Sequence, residues 1–235
     1  MKTNSHRLEV YAINMLLASL AHVTNDKLFK LTYRTIAKFA EKLGKRDYYV
    51  RRIRWIRDLF DQGHPTLEIT KKILRTLNPH HRRTIIQSYV INQLLVGTNK
   101  RKAFAEQPGG YYPPGFLVIS PTMRCNLNCF GCYAGSYQQT EELSFQTLDR
   151  ILKEAKEMGI YFITVSGGEP FFLKHIFDVF EKHNDMSFLV YTHGGLIDEK
   201  VAQKIISVGN VLPSISIEGF KEATDQRRGK GHFDR

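Results

Sequence analysis

Cysteine is scarce in this chain. Only Cys125, Cys129 and Cys132 occur among 235 residues, all within eight positions. An odd, tightly clustered set is a poor disulfide framework, and in a reducing compartment it fits a metal or cluster site better. Long apolar runs are also missing. The longest, Val10 to Val23, is broken by Asn14, Ser19 and His22 and is too short to span a bilayer, so no transmembrane segment is expected. Glu9 interrupts the basic leader that a secretory signal needs, and the apolar positions repeat at helical spacing, which together point to a cytoplasmic protein. Low-complexity bias is absent as well. With 42% hydrophobic and 24% charged residues, 17 Gly and 8 Pro, the composition excludes a disordered tail or a fibre.

Acidic residues are few in one half only. Residues 1–110 carry 8 Asp+Glu against 21 Lys+Arg, a balance of +13, whereas residues 111–235 carry 15 against 13, a balance of −2. The halves present different surfaces, as two domains would, and the length accommodates two small domains. The first half reads as helices with polar breaks. Leu8, Tyr11, Met15, Leu16 and Leu20 share one helical face; Asn25-Asp26 caps a second helix that Gly44 stops; Asp47 caps a third that Gly63 and Pro65 end. A fourth runs from Thr66 to Leu77, and after Asn78-Pro79 a fifth runs from His80 to Val96. Gly97 to Gly115, with Pro108-Gly109-Gly110 and Pro113-Pro114-Gly115, reads as a linker. The expected division is a basic helical domain plus linker over 1–110 and a second domain over 111–235.

Beyond Gly115, short apolar runs alternate with amphipathic helices. Strands are expected at 116–120, 161–166, 188–192 and 211–217, with helices near 144–158, 173–183 and 198–208. Strand and helix repeats of this kind build an α/β fold with a parallel sheet, and ligands then sit at the carboxyl ends of the strands. The unusual residues fall at those ends. The first strand runs into a CxxxCxxC loop, Cys125 to Cys132. Three thiolates in one loop can hold three irons of a [4Fe–4S] cubane and leave the fourth iron open. Structural zinc is the rival, but zinc prefers four protein ligands and no fourth cysteine exists. The second strand ends in Ser166-Gly167-Gly168-Glu169-Pro170, where glycines let a ligand approach the backbone and exposed carbonyls can accept from an ammonium group. Taken alone, that turn also fits an ordinary strand-to-helix connection.

Together, in this order and about forty residues apart, the two motifs resemble the radical S-adenosylmethionine superfamily, whose cluster loop is CxxxCxxC and whose second strand ends in GGEP. The resemblance covers about Phe116 to Arg235. It implies an incomplete (β/α) partial barrel behind an N-terminal all-α domain, with Cys125, Cys129 and Cys132 ligating the cluster. The open iron would take the amino and carboxylate groups of S-adenosylmethionine, and one-electron reduction would release a 5′-deoxyadenosyl radical that abstracts hydrogen from a substrate. An electron donor such as ferredoxin or flavodoxin is implied. Ser166, Gly167, Gly168 and Glu169 would face the methionine ammonium. Thr192-His193-Gly194 stands where many members have Thr-Asn-Gly, so His193 departs from the pattern at a ribose contact. Ser216-Ile217-Glu218-Gly219 ends the fourth strand where peptide-modifying members often read Ser-Leu-Asp-Gly. Arg228 follows Ser216 by twelve residues, as the carboxylate-binding arginine does there; its rival reading is a solvated loop cation. Gly131 replaces a common adenine-contacting aromatic, a role open to Phe130 or Tyr133.

A barrel of this family has six strands, and four are visible by Arg235. A truncated frame, a second chain that supplies the missing strands, or a degenerate half-barrel are the readings this leaves. The Ser-Ile-Glu-Gly and Arg228 features lean toward a peptide or protein substrate, with a lipid or small-metabolite enzyme as the alternative. A non-catalytic cluster-binding or interaction protein is the rival from another class. The basic helices could dock an acidic partner, nucleic acid or anionic lipid around Trp55; a solvated face beside an aliphatic stripe is the reading we prefer.

Overall fold

The chain separates into two compact units, residues 1–86 and 87–235. The computed structural model describes residues 19–20, 23, 25–43, 47–138 and 140–234. The opening helix expected from Leu8 to Leu20 lies outside the described residues apart from Ser19 and Leu20.

In the first unit the polar breaks act as caps. Helix α1 (Asp26–Leu43) starts where Asn25 Oδ1 accepts from the N–H groups of Lys27 at 2.9 Å and Leu28 at 3.1 Å. Helices α2 (Asp47–Asp61) and α3 (Thr66–Thr76) follow, and Asn78 caps α4 (Pro79–Ile85) through the His81 N–H at 2.8 Å, with Pro79 in the first turn. Phe29, Tyr33, Leu67 and Leu74 are buried. The basic surplus is accommodated by pairing. Lys71, 3% exposed, donates to Asp26 at 2.9 Å and Glu68 at 2.8 Å with its ammonium 5.6 Å from the Phe29 ring centroid. Arg54 and Arg57 share Glu41. Burial, reinforced by the neighbouring Asp61, pushes the Tyr33 hydroxyl up to about 12. Trp55 is exposed.

The second unit begins earlier than the Pro/Gly-rich segment. A π-helical stretch, Ile86–Gly97, runs into α5 (Thr98–Ala105), a helix inside the segment read as linker. Glycines and prolines dominate the local sequence, but tertiary contacts hold these residues against the sheet. Ser88 and Ser187 hydroxyls meet at 2.7 Å, Gln93 Oε1 accepts from Tyr161 N–H at 2.8 Å, and Arg101 donates to Gly159 O at 2.6 Å. Gly97 and Gly159 approach so closely that a Cβ on either would lie within 2.5 Å of the other's carbonyl oxygen.

The sheet is wholly parallel in the order β1 (Leu117–Ile119), β2 (Phe162–Val165), β3 (Ser187–Thr192), β4 (Val211–Ile215). Helices α6 (Phe145–Glu157), α7 (Ile176–Lys182) and α8 (Glu199–Val208) connect successive strands. Ser144 and Asp198 cap α6 and α8 through the N–H groups of Thr147 and Val201, and Gly209 at φ +73° ends α8. Leu148, Leu152 and Ala155 of α6, Val179 and Phe180 of α7, and Ile205 and Val208 of α8 join Ile163, Val165, Phe188, Val190 and Val211 in one core. The opposite face presents Val118 and Tyr191, both exposed. A further helix, α9 (Lys221–Arg228), follows β4 and was not expected. Among the described residues no helix is long and apolar enough to cross a membrane.

Asp149 on α6 gathers Lys153 at 2.8 Å, Lys182 at 3.1 Å and the His183 imidazole at 3.1 Å. The hydrogen bond from Lys153, followed by that from Lys182, lowers its carboxyl to about 2. A depressed carboxylate contributes stability above its unfolded pKa of roughly 4, and that contribution disappears as pH falls through the folded value. Thermal melts from pH 5 to pH 2 should therefore fall more steeply for the wild type than for Asp149→Asn; parallel curves would contradict this.

Candidate functional site

The 87–105 segment bonds the chain at the amino ends of β2 and β3 through Tyr161 and Ser187, and the singled-out residues collect at the opposite, carboxyl end of the sheet. The chain leaving β1 passes along Ser120 to Arg124 into the cysteine loop. The Gly-Gly-Glu turn after β2 lies against it: Gly168 N–H donates to Thr122 O and Glu169 N–H to Arg124 O, each at 2.9 Å. Gly167 sits at φ +105°, and a Cβ there would be 2.4 Å from Thr122 O; at Gly168 it would be 2.3 Å from Arg124 O. Both glycines are required by this approach of backbone to backbone, whatever ligand they also admit.

Tyr133, just past the third cysteine, ties the loop to the same turn. Its hydroxyl lies 2.9 Å from Ser166 Oγ and accepts from Gly167 N–H at 3.1 Å. Its ring is exposed, as is that of Phe130.

Glu169 is fully buried and works as a hub. Its Oε1 accepts from Phe171 N–H at 3.2 Å and Thr192 Oγ1 at 2.9 Å, and its Oε2 from His193 N–H at 3.1 Å. Burial raises its carboxyl above the ordinary range, with those donors opposing. The β2 and β3 rims are thus joined through one carboxylate.

All three cysteines are free thiols; Cys125 and Cys129 are half-buried and Cys132 is exposed. Burial raises the Cys125 and Cys129 thiols, while Arg228 acts against this at Cys129. Gly131 at φ +69° makes the turn between the second and third cysteines, with Cys132 N–H donating to Cys129 O at 3.2 Å. Among the described residues no three His, Cys, Asp or Glu donors are gathered to metal-binding geometry. The donor set nonetheless suits an iron–sulfur cluster: soft thiols, three on one loop, accessible and beside a cation.

Arg228 is not a solvated loop cation. It is the last residue of α9, its side chain is 10% exposed, and its guanidinium pairs with Glu218, which Arg227 also meets at 2.8 Å. Arg228 lowers the Glu218 carboxyl, and Arg228 Nε is buried without a partner. Helix α9 also touches the cysteine loop, since Phe130 N–H donates to Arg227 O at 2.9 Å. Ser216 is exposed at the β4 rim, its N–H donating to Thr192 O at 2.9 Å. Three further residues emerge from the fold alone. Thr122 orders the approach to the loop: its Oγ1 accepts from Arg124 N–H at 3.0 Å. Asn126 meets His193 across the loop. His232 packs on His193 with ring centroids 5.4 Å apart; its turn is held by Asp225, which accepts from the N–H groups of Gly231 and Phe233.

Over residues 119–235 the chain matches the Radical SAM superfamily, and this half of the chain belongs to that family. Fe-coproporphyrin III synthase of Methanosarcina barkeri is 33% identical over 123 residues, covering 50% of this chain and 31% of that protein. Mycofactocin maturase MftC of Mycolicibacterium smegmatis is 32% identical over 131 residues, covering 53% and 33%. Among solved structures, Streptococcus suis SuiB bound to S-adenosylmethionine aligns with a TM-score of 0.45 and 22% identity over 50% of this chain and 28% of that one. The chain spans about a third of the length of the curated relatives it matches. The family's cofactors are a [4Fe–4S] cluster and S-adenosylmethionine, and the thiols and the glycine turn described above are chemically suited to them.

Proposed function

We propose that the second unit is the cofactor-binding part of a radical S-adenosylmethionine enzyme acting on a peptide or protein. The observation that carries the reading is the joining of the CxxxCxxC loop to the Gly-Gly-Glu turn and to α9 at one rim of the sheet. Cys125, Cys129 and Cys132 would hold the cluster. When bound, the cluster and S-adenosylmethionine supply hydrogen-atom abstraction after one-electron reduction, the electron coming from a donor such as ferredoxin or flavodoxin. The protein's part is to position and shield. The Ser166 to Gly168 rim offers backbone acceptors to an ammonium, Tyr133 fixes that rim, and Thr192 and His193 border it through Glu169. Arg228 and Ser216 offer donors to a carboxylate, with Glu218 aligning the guanidinium.

The Ser216 to Gly219 pattern and a relative named as a maturase support a peptide or protein substrate. The similarity to a coproporphyrin synthase supports a small-metabolite alternative. Anaerobic titration of S-adenosylmethionine into iron-loaded protein tests the assignment. Arg228→Ala removes a charge-assisted pair and should weaken binding by about 1.5–3 kcal/mol. Equal affinity in the two proteins would leave the arginine as a structural partner of Glu218 alone.

A further inference from the structure

We propose that His193 is a positioning residue that clasps the cysteine loop to the end of β3 through Asn126. The inference rests on the cluster reading above and concerns a position where this chain departs from the common Thr-Asn-Gly pattern.

The imidazole is held at both nitrogens. Gly195 N–H donates to Nδ1 at 2.9 Å, which leaves the ring proton on Nε2. Nε2 lies 2.9 Å from Asn126 Oδ1 and 3.2 Å from Glu169 Oε2. The N–H is therefore shared between a carbonyl of the loop and the buried hub carboxylate. His193 is 9% exposed, so water competes poorly for the bond. The ring is also confined sterically: a Cβ at position 195 would lie 3.0 Å from Nδ1 and 3.2 Å from His232 Cε1. Glycine there leaves the imidazole the room it uses.

Asn126 sits between the first two cysteines and is itself exposed. Across 67 residues of sequence, the bond ties the loop to the end of β3, while Tyr133 ties it to the turn after β2 and Phe130 to α9. A loop held before iron arrives needs less ordering when its thiols converge. Polar groups that orient metal ligands in this way typically change metal affinity 10- to 100-fold when removed.

The test uses the whole chain, loaded anaerobically with iron and sulfide. Iron loss to a chelator is timed, and the electron paramagnetic resonance spectrum of the reduced protein is recorded. His193→Gln sets an amide N–H where Nε2–H stood and keeps the clasp. His193→Asn reaches only the Nδ1 position, keeping the Gly195 bond and losing Asn126. Asn126→Ala, at an exposed site, removes the other partner without disturbing the core. We expect His193→Gln to hold iron like the wild type, and His193→Asn and Asn126→Ala each to lose it about tenfold faster. The two losing variants should share an altered spectrum, and the double variant should be no worse than either. Iron loss as fast in His193→Gln as in His193→Asn, or equal in all the proteins, would overturn the clasp while leaving the cluster reading intact. A wild-type chain that takes up no iron would instead overturn the cluster reading and the clasp with it.

Discussion

Replacing any one of Cys125, Cys129 and Cys132 with alanine is expected to leave the protein folded and unable to retain a four-iron cluster. The fold does not depend on these thiols: they lie on a loop outside the core, none is fully buried, and none is bonded to another. On the proposed ligand set, cluster retention depends on all three, because each thiolate would hold a separate iron and the sequence offers no fourth cysteine to substitute. Iron and sulfide analysis after anaerobic loading, with circular dichroism as the control for folding, reads the effect directly. Full iron retention in any single variant would remove that cysteine from the ligand set.

The second large effect is expected at Glu169. Its carboxylate is the acceptor for Thr192 Oγ1 and for the N–H groups of Phe171 and His193, all in a site closed to water. Truncation to alanine strands these donors. An unsatisfied buried donor costs about 1–3 kcal/mol, so Glu169→Ala should lose about 3 kcal/mol or more of stability. It should also loosen the link between the β2 and β3 rims, and S-adenosylmethionine binding should fall with it. Chemical denaturation gives the first quantity and calorimetry the second. A loss below about 1 kcal/mol would mean that the donors find other partners, and the hub description would fail.

Much of the site was legible because its parts are local. The CxxxCxxC spacing and the Gly-Gly-Glu turn are short motifs at the ends of apolar runs, and the four strands follow from those runs to within two residues at every boundary. The cap at Asn25 was readable for the same reason, whereas Asn78 read only as a break and proves to be the cap of α4. What was missed is non-local or unpatterned. Helix α9, KEATDQRR, has Thr224 as its buried residue and no apolar stripe to announce it, so the sequence placed Arg228 on no helix and left its pairing with Glu218 unseen. Helix α5 stands between glycine and proline clusters that outweigh its own signal. The His193–Asn126 contact spans 67 residues, and nothing in either neighbourhood points to the other. The buried role of Glu169 was likewise hidden, since the GGEP motif directs attention to the glycines, whereas the carboxylate gains its function from donors on β3.

On the reading proposed above, this rim assembles a cluster with one iron open to S-adenosylmethionine. The most direct measurement is the electron paramagnetic resonance spectrum of the anaerobically loaded and reduced chain, taken before and after S-adenosylmethionine is added. A [4Fe–4S] signal whose line shape changes on addition is expected, because the open iron would gain ligands. Stoichiometric zinc with no iron, or a cluster signal that S-adenosylmethionine leaves unaltered, would contradict it.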